Sequence, residues 1–235
     1  MRPLAIDLFC GLGGWADGLL VEGYDVIGFD IERHVYGEHR YPGMLVIQDV
    51  LTLHGSQFKD AALIVASPPC QAYSYRAMPW KRAKALPPPD NTLFEACFRI
   101  QREACEAAGR HIPLIVENVR GAQKWVGRAR WNFGSFYLWG DVPALMPFRI
   151  GGVKVSGVQS WSDFGKPGYT PMAFNGAAER QARQGWFNDY ARTPDSLASS
   201  GSKSSAHKAA SAVIAKIPLP LARHIAIVFR QGIVL

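Results

Sequence analysis

The sequence predicts an α/β fold built on a doubly wound, mostly parallel sheet, and three observations carry that expectation. Short apolar runs alternate with stretches of helical periodicity across residues 4–139. The runs are nearly continuous in apolar residues, as strands covered on both faces are. The first run ends in a glycine-rich turn that leads straight into a helix. In sheets of this kind ligands bind beyond the carboxyl ends of the strands.

Taken in order, Leu4–Phe9 is the first strand and Trp15–Glu22 the first helix. Asp25–Asp30, Met44–Ile47 and Ala62–Ala66 follow as strands. Asn91–Ala108 sets Leu93, Phe94, Ala96, Cys97, Ile100 and Ala104 at helical spacing behind Pro87-Pro88-Pro89-Asp90. Asp90 is the expected N-cap of that helix. Pro113–Glu117 is a fifth strand and Phe133–Trp139 a sixth. After Pro147 the texture changes to Gly, Ser, Gln, Asn and aromatics, which reads as a small irregular module, with Ser196–Ser205 a flexible stretch. Residues 206–216 and 220–231 read as two helices that return to the sheet. The expected divisions are 1–149, 150–205 and 206–235.

The 235 residues are 48% hydrophobic and 19% charged, which excludes a disordered, collagen-like or coiled-coil chain. No apolar run approaches the roughly 18 residues of a membrane span, so no membrane partner is expected. Residues 1–149 hold 16 Lys/Arg against 15 Asp/Glu, and residues 150–235 hold 10 against 4. A basic final third favours an acidic polymer as partner, nucleic acid before anionic membrane. Cys10, Cys70, Cys97 and Cys105 form neither a disulfide scaffold nor a zinc pattern, so no metal is expected. The amino terminus runs into a strand pattern with no signal-like apolar segment, and the chain reads as intracellular and reduced.

Four short motifs carry chemistry. Asp7-Leu8-Phe9-Cys10-Gly11-Leu12-Gly13-Gly14 ends a strand in an acid and enters a helix through glycines, letting backbone approach an adenosine-bearing ligand. Asp30 ends the next strand where a ribose-binding acid belongs. On these residues alone a nicotinamide enzyme, a methyltransferase and a plain tight turn are equally good readings. Ser67-Pro68-Pro69-Cys70-Gln71 presents a thiol at a strand end on a stiff backbone, as a nucleophile requires, or as a simple turn cysteine. Glu117-Asn118-Val119 closes a buried strand with an acid that burial would push towards its neutral form, or with a solvated terminus. Arg128-Ala129-Arg130 is a pair of forked donors, suited to an anion or a base carbonyl, or an ordinary surface pair.

In this order the motifs resemble those of the DNA cytosine-C5 methyltransferase family. The stretch Asp7–Trp15 resembles the family's first motif, Ser67–Ser74 its catalytic-cysteine motif and Glu117–Val119 its glutamate motif. Gln48-Asp49-Val50 resembles the adenine-contacting segment, and Thr92-Leu93-Phe94 the helix after the catalytic loop. The resemblance implies a Rossmann-like methyltransferase that uses S-adenosyl-L-methionine and acts on a cytosine flipped out of duplex DNA. It implies that Cys70 adds to C6, that Glu117 protonates or stabilises N3, that Arg130 holds O2 and that Arg128 fixes the pocket. Phe9, Gly11, Leu12 and Gly14 would line the methionine and ribose side of the cofactor. Asp30 and Ile31 would hold ribose and adenine, Asp49 and Val50 the adenine amine, and Pro69 and Leu93 the wall.

Under that resemblance Ser74, Arg76, Lys81, Arg82 and Lys84 lie in a basic loop suited to the phosphates around the target. Arg180 and Arg183, with Gln181, Gln184 and Asn188, belong to a target-recognition region at 150–205. Three positions depart from the family pattern. Val126 stands where a glutamine is usual, Asp90 where the catalytic loop usually ends with an arginine, and Ile214–Pro218 where a Gly-Asn-x-Val-Pro turn is usual. The departures and the short chain are like compact phage or prophage members, so a monomer in a bacterial or phage-infected cytoplasm is expected. A tRNA cytosine-C5 methyltransferase on the same scaffold and a non-catalytic DNA-binding relic are the alternatives.

Overall fold

The computed structural model describes residues 2–73, 87–146, 212–213 and 215–230. Residues 1–147 with 216–235 form one unit and 148–215 a second. The first unit holds nearly all of the described residues.

The centre of the first unit is a seven-stranded sheet in the order β5-β2-β1-β6-β7-β9-β8. The strands are β1 (Leu4–Leu8), β2 (Asp25–Asp30), β5 (Met44–Ile47), β6 (Leu63–Ala66), β7 (Leu114–Asn118), β8 (Trp131–Phe133) and β9 (Phe136–Gly140). Pairing is parallel from β5 through β7 and antiparallel at β7–β9 and β9–β8. The doubly wound, mostly parallel sheet is therefore observed. Its helices, among the described residues, are α1 (Gly14–Val21), α2 (Thr92–Ala108), the single turn α3 (Gln123–Val126) and α4 (Leu219–Arg230).

Alternation along each strand divides the core into two layers. Ala5, Leu63, Val65 and Ile115 join Trp15 and Leu19 of α1 and Leu221, Ala222 and Ile225 of α4 on one face. Ile6, Leu8, Ile64, Ala66, Leu114 and Val116 join Phe94, Cys97, Ile100 and Ala104 of α2 on the other. The latter four are among the six apolar positions whose spacing predicts that helix. The α1 segment is further joined to α4 by Arg223–Glu22 at 2.6 Å and by Arg230, which donates to the Glu22 carbonyl, and to the chain just before α4 by Lys216–Asp17 at 2.6 Å.

Three expectations change in detail. The expected sixth strand is a hairpin of two strands, because Gly134 turns the chain at φ +64° between Phe133 and Phe136. Asp90 is not the N-cap of α2, since Asn91 holds that position. The Asp90 carboxylate instead accepts the Thr92 N–H from one residue outside the cap, at 2.8 Å. A small pair, β3 (Val35–Tyr36) with β4 (His39–Arg40), was not expected; it is short, exposed and lacks a readable period. Most of the helix expected at 206–216 lies outside the described residues, whereas that expected at 220–231 is α4.

Candidate active site

The carboxyl ends of β1, β2, β6 and β7 converge, and the first three motifs lie there. Phe9 takes φ +56° and Gly11 φ +50°, so the chain after β1 folds sharply before Gly13, at φ +75°, caps α1. The turn is held by Gly13 N–H to the Cys10 carbonyl at 2.8 Å and by Cys10 N–H to the Phe29 carbonyl at 3.1 Å. A side chain added at Gly11 would meet nothing within 4 Å. That spot is open space, whereas Gly14 lies against the backbone of Ile217.

Of the residues expected to hold an adenosine group, Asp30 lies directly against this opening. Asp30, at the end of β2, accepts the Gly11 N–H at 2.9 Å and lies 3.5 Å from the His34 ring. Ile31 beside it is 70% exposed, an apolar side chain left uncovered at a strand end. Asp49 accepts the Leu51 N–H at 2.9 Å and so caps the turn that buries Val50. Leu12 is buried, Phe9 and Leu93 half-buried and Pro69 exposed. An open glycine, a positioned carboxylate and an uncovered apolar side chain on adjacent strand ends fit an adenosine-bearing cofactor.

Cys70 and Glu117 follow from neighbouring parallel strands. Ala66 pairs with Val116, which places Ser67 beside Glu117 and Pro68 beside Asn118. Asn118 is buried and donates from Nδ2 to the Pro68 carbonyl at 3.0 Å, while its Oδ1 accepts the Val119 N–H at 2.8 Å. This side chain ties the cysteine loop to the glutamate strand. Cys70 is a half-buried thiol outside any disulfide, and its carbonyl accepts the Tyr73 N–H at 3.0 Å. Tyr73 donates its hydroxyl to Asn91 at 2.9 Å, joining the two sides of the segment between them.

Burial pushes the Glu117 carboxyl up to about 8, against a smaller opposing influence from the Ser67 hydroxyl. Its neutral form therefore prevails at pH 7. Burial likewise raises Asp7 well above the carboxylate range, and it raises the Cys10 thiol and the Tyr41 phenol.

Arg128 and Arg130 are exposed, immediately before β8. Val126 ends α3, and a glutamine stands three residues earlier, at Gln123. Gln123 Oε1, at the start of α3, accepts the Ala129 N–H between the two arginines at 3.2 Å. Arg130 N–H donates to the Leu138 carbonyl at 2.9 Å. Sequence reading missed Gln123, Asn118, Ser67 and Trp15 as contributors. Ser67 and Asn118 stand within the cysteine and glutamate motifs, and that position was a usable signal. Ser74, Arg76, Lys81, Arg82, Lys84, Arg180 and Arg183 lie outside the described residues. Among the described residues no cluster of His, Cys, Asp and Glu is arranged to hold a metal ion, and no helix is long and apolar enough to cross a membrane.

The model of the family described as C-5 cytosine-specific DNA methylase matches residues 4–126. No curated protein matches the chain. Solved structures similar to it include an E. coli protein described as a DNA modification methyltransferase encoded within a prophage, at 25% identity over 53% of this chain and 34% of that one, with a TM-score of 0.38. The Dnmt2 methyltransferase of S. pombe shares 18% identity over 53% of this chain and 36% of its own, with a TM-score of 0.36. The Entamoeba histolytica methyltransferase EhMeth shares 18% over 53% and 40%, with a TM-score of 0.37. The matched part of this chain thus spans between a third and two-fifths of those proteins.

Proposed function

The chain belongs to the C-5 cytosine-specific DNA methylase family, and from that premise we propose that it methylates C5 of cytosine in duplex DNA through a covalent adduct at Cys70. The observation that carries this reading is the placement of Cys70 after β6 and Glu117 at the end of the adjacent parallel strand β7, with the two segments tied by the Asn118–Pro68 hydrogen bond.

Cytosine C5 is a poor nucleophile. The Cys70 sulfur adds to C6 and pushes electron density onto C5, while Glu117, largely neutral at pH 7, holds its proton against N3 and takes up the developing charge there. S-adenosyl-L-methionine, when bound, supplies the electrophilic methyl group that C5 accepts. Solvent water then takes the proton from C5, the electron pair re-forms the C5–C6 double bond, the C6–sulfur bond breaks with Cys70 leaving as thiolate, and N3 returns its proton to Glu117. Arg130, with Arg128 beside it, holds the base at O2. None of this geometry is reachable in stacked DNA, so the base is extruded into the site. Phe9, Gly11, Leu12, Gly14, Asp30, Ile31, Asp49, Val50, Pro69 and Leu93 form the cofactor site. Residues 1–149 supply the chemistry, 150–205 read the target with Arg180 and Arg183, and Ser74, Arg76, Lys81, Arg82 and Lys84 meet phosphates. The protein acts as a monomer in the cytoplasm of a bacterial or phage-infected cell.

The test is methyl transfer from labelled S-adenosylmethionine to duplex DNA or to tRNA, with wild type and Cys70→Ala. Label on DNA that disappears in the variant, and a denaturation-resistant adduct with DNA containing 5-fluorocytosine, are expected. Label on tRNA alone overturns the DNA reading, and label that survives in Cys70→Ala overturns the covalent step.

A further inference from the structure

Glu117 is supported from a direction that the motifs do not reveal. Alternation along the strands places Ala5, Leu63, Val65 and Ile115 under α1 and α4. Two residues further on, Ser67 and Glu117 therefore share that face, side by side because Ala66 and Val116 are register partners. Leu138, the register partner of Glu117 on β9, lies on the same face. Trp15, in the first turn of α1 and 2% exposed, donates its indole N–H to Ser67 Oγ at 3.1 Å.

An indole nitrogen is a donor only. Ser67 Oγ must accept from it, and its hydroxyl proton is then directed away from the tryptophan, towards the Glu117 carboxyl. We propose that Trp15 and Ser67 form a two-step hydrogen-bond relay, Trp15 Nε1–H to Ser67 Oγ and Ser67 Oγ–H to Glu117, which orients the Glu117 carboxyl on this face of the sheet. Trp15 and Ser67 are positioning residues, and their catalytic consequence rests on the function proposed above. The titratable or charged groups on the surrounding elements are Asp7 on β1, Cys10 after it, Asp17 on α1, Cys70 after β6, Tyr137 on β9, Arg128 and Arg130 before β8, and Arg223, His224 and Arg230 on α4. Burial and Ser67 are the influences that act on Glu117.

The test is a carboxyl carbon-13 NMR titration of the full chain, with the Glu117 signal assigned by its loss in Glu117→Gln. Wild type is expected to titrate near pH 8. Ser67→Ala removes a donor to the ionised form, and its midpoint is expected to rise by about one pH unit. Trp15→Phe frees the hydroxyl to rotate and is expected to shift the midpoint in the same direction by less. In the Ser67→Ala background Trp15→Phe adds nothing, and Ser67→Thr restores the wild-type value. The alkaline limb of kcat is expected to move with the midpoint while KM for DNA stays constant.

A Ser67→Ala midpoint that stays or falls overturns the relay. So does a Trp15→Phe shift of equal size with and without the Ser67 hydroxyl. Circular dichroism checks folding, and where Trp15→Phe does not fold, Ser67→Ala against Ser67→Thr decides. If wild type methylates neither DNA nor tRNA, the proposed function fails while the titration still reads the relay.

Discussion

Gly18→Ala is expected to destabilise the protein even though alanine is the better helix former. Gly18 lies where α4 crosses α1. A Cβ at this position would sit 2.6 Å from the Ala222 carbonyl carbon and 2.6 Å from the Arg223 nitrogen, and closer still to Ala222 Cβ. Carbon atoms pack at about 3.5–4.0 Å, so the two helices must separate by roughly 1 Å. Alanine gains about 1 kcal/mol of helix propensity over glycine. Overpacking costs about 1–3 kcal/mol, and the upper part of that range applies because backbone atoms cannot rotate aside. The net loss is about 1–2 kcal/mol, and at about 2–4 °C per kcal/mol for a chain of this size it lowers Tm by about 2–8 °C. Thermal unfolding followed by circular dichroism reads it, with Val21→Ala on the exposed side of the same helix as the control, expected to stay within about 0.5 kcal/mol. Adding Ala222→Gly should return part of the loss, since it removes the side-chain conflict and leaves the backbone one. An unchanged or raised Tm for Gly18→Ala would refute the reasoning that close backbone approach sets this interface.

The ordinary glutamate value is 4.5 and Glu117 titrates near 8 in the fold, so the folded chain binds more protons than the unfolded one between those values. Its contribution to stability is therefore complete below pH 4.5 and lost as pH rises through 8. Urea midpoints measured from pH 5 to 9 should fall less for Glu117→Gln than for wild type, and parallel curves would argue against a buried acid. Gln123→Ala removes the acceptor that holds the Ala129 N–H between the arginines; methylation is expected to fall about fivefold to tenfold, with Tm little changed, and Gln123→Glu, which keeps an acceptor, should retain most of it. Replacing Lys81, Arg82 and Lys84 by glutamine should reduce the slope of log affinity for DNA against log salt by up to about three, near one for each phosphate left without its cation.

The parallel sheet was legible because its strands are buried on both faces and so appear as unbroken apolar runs, Leu63-Ile64-Val65-Ala66 being the clearest. Helix α2 was legible for the opposite reason: one face is buried, and Phe94, Cys97, Ile100 and Ala104 recur at its period. The β8–β9 hairpin was missed for another reason: Gly134-Ser135 is a two-residue turn signal, but the closely spaced aromatic residues on both sides of it look like one strand. The Asp90 expectation erred by one residue, since an aspartate just outside a helix can still accept an N–H of its first turn. At the site, the motif order brought out Cys70 and Glu117. The Trp15–Ser67 bond joins residues 52 apart, and no local pattern reports such a pairing. Gln123 was hidden because its acceptor serves from the start of a helical turn, three positions before Val126 in the sequence.

The protonation of Glu117 also constrains how the arginines work. A guanidinium set against this carboxyl would hold it ionised, yet burial dominates and, among the described residues, no arginine contributes to its shift. Arg128 and Arg130 are exposed, so in the proposed complex they reach the base from the rim while Glu117 meets it from the sheet. In that proposal the acid meets N3 and the arginine meets O2, neighbouring atoms on one edge of the base, approached from two directions. An ion pair between them would cancel the donor that Glu117 has to offer. The arginine pair stands exposed on the loop that precedes β8, and Gln123 holds the backbone between the two arginines there.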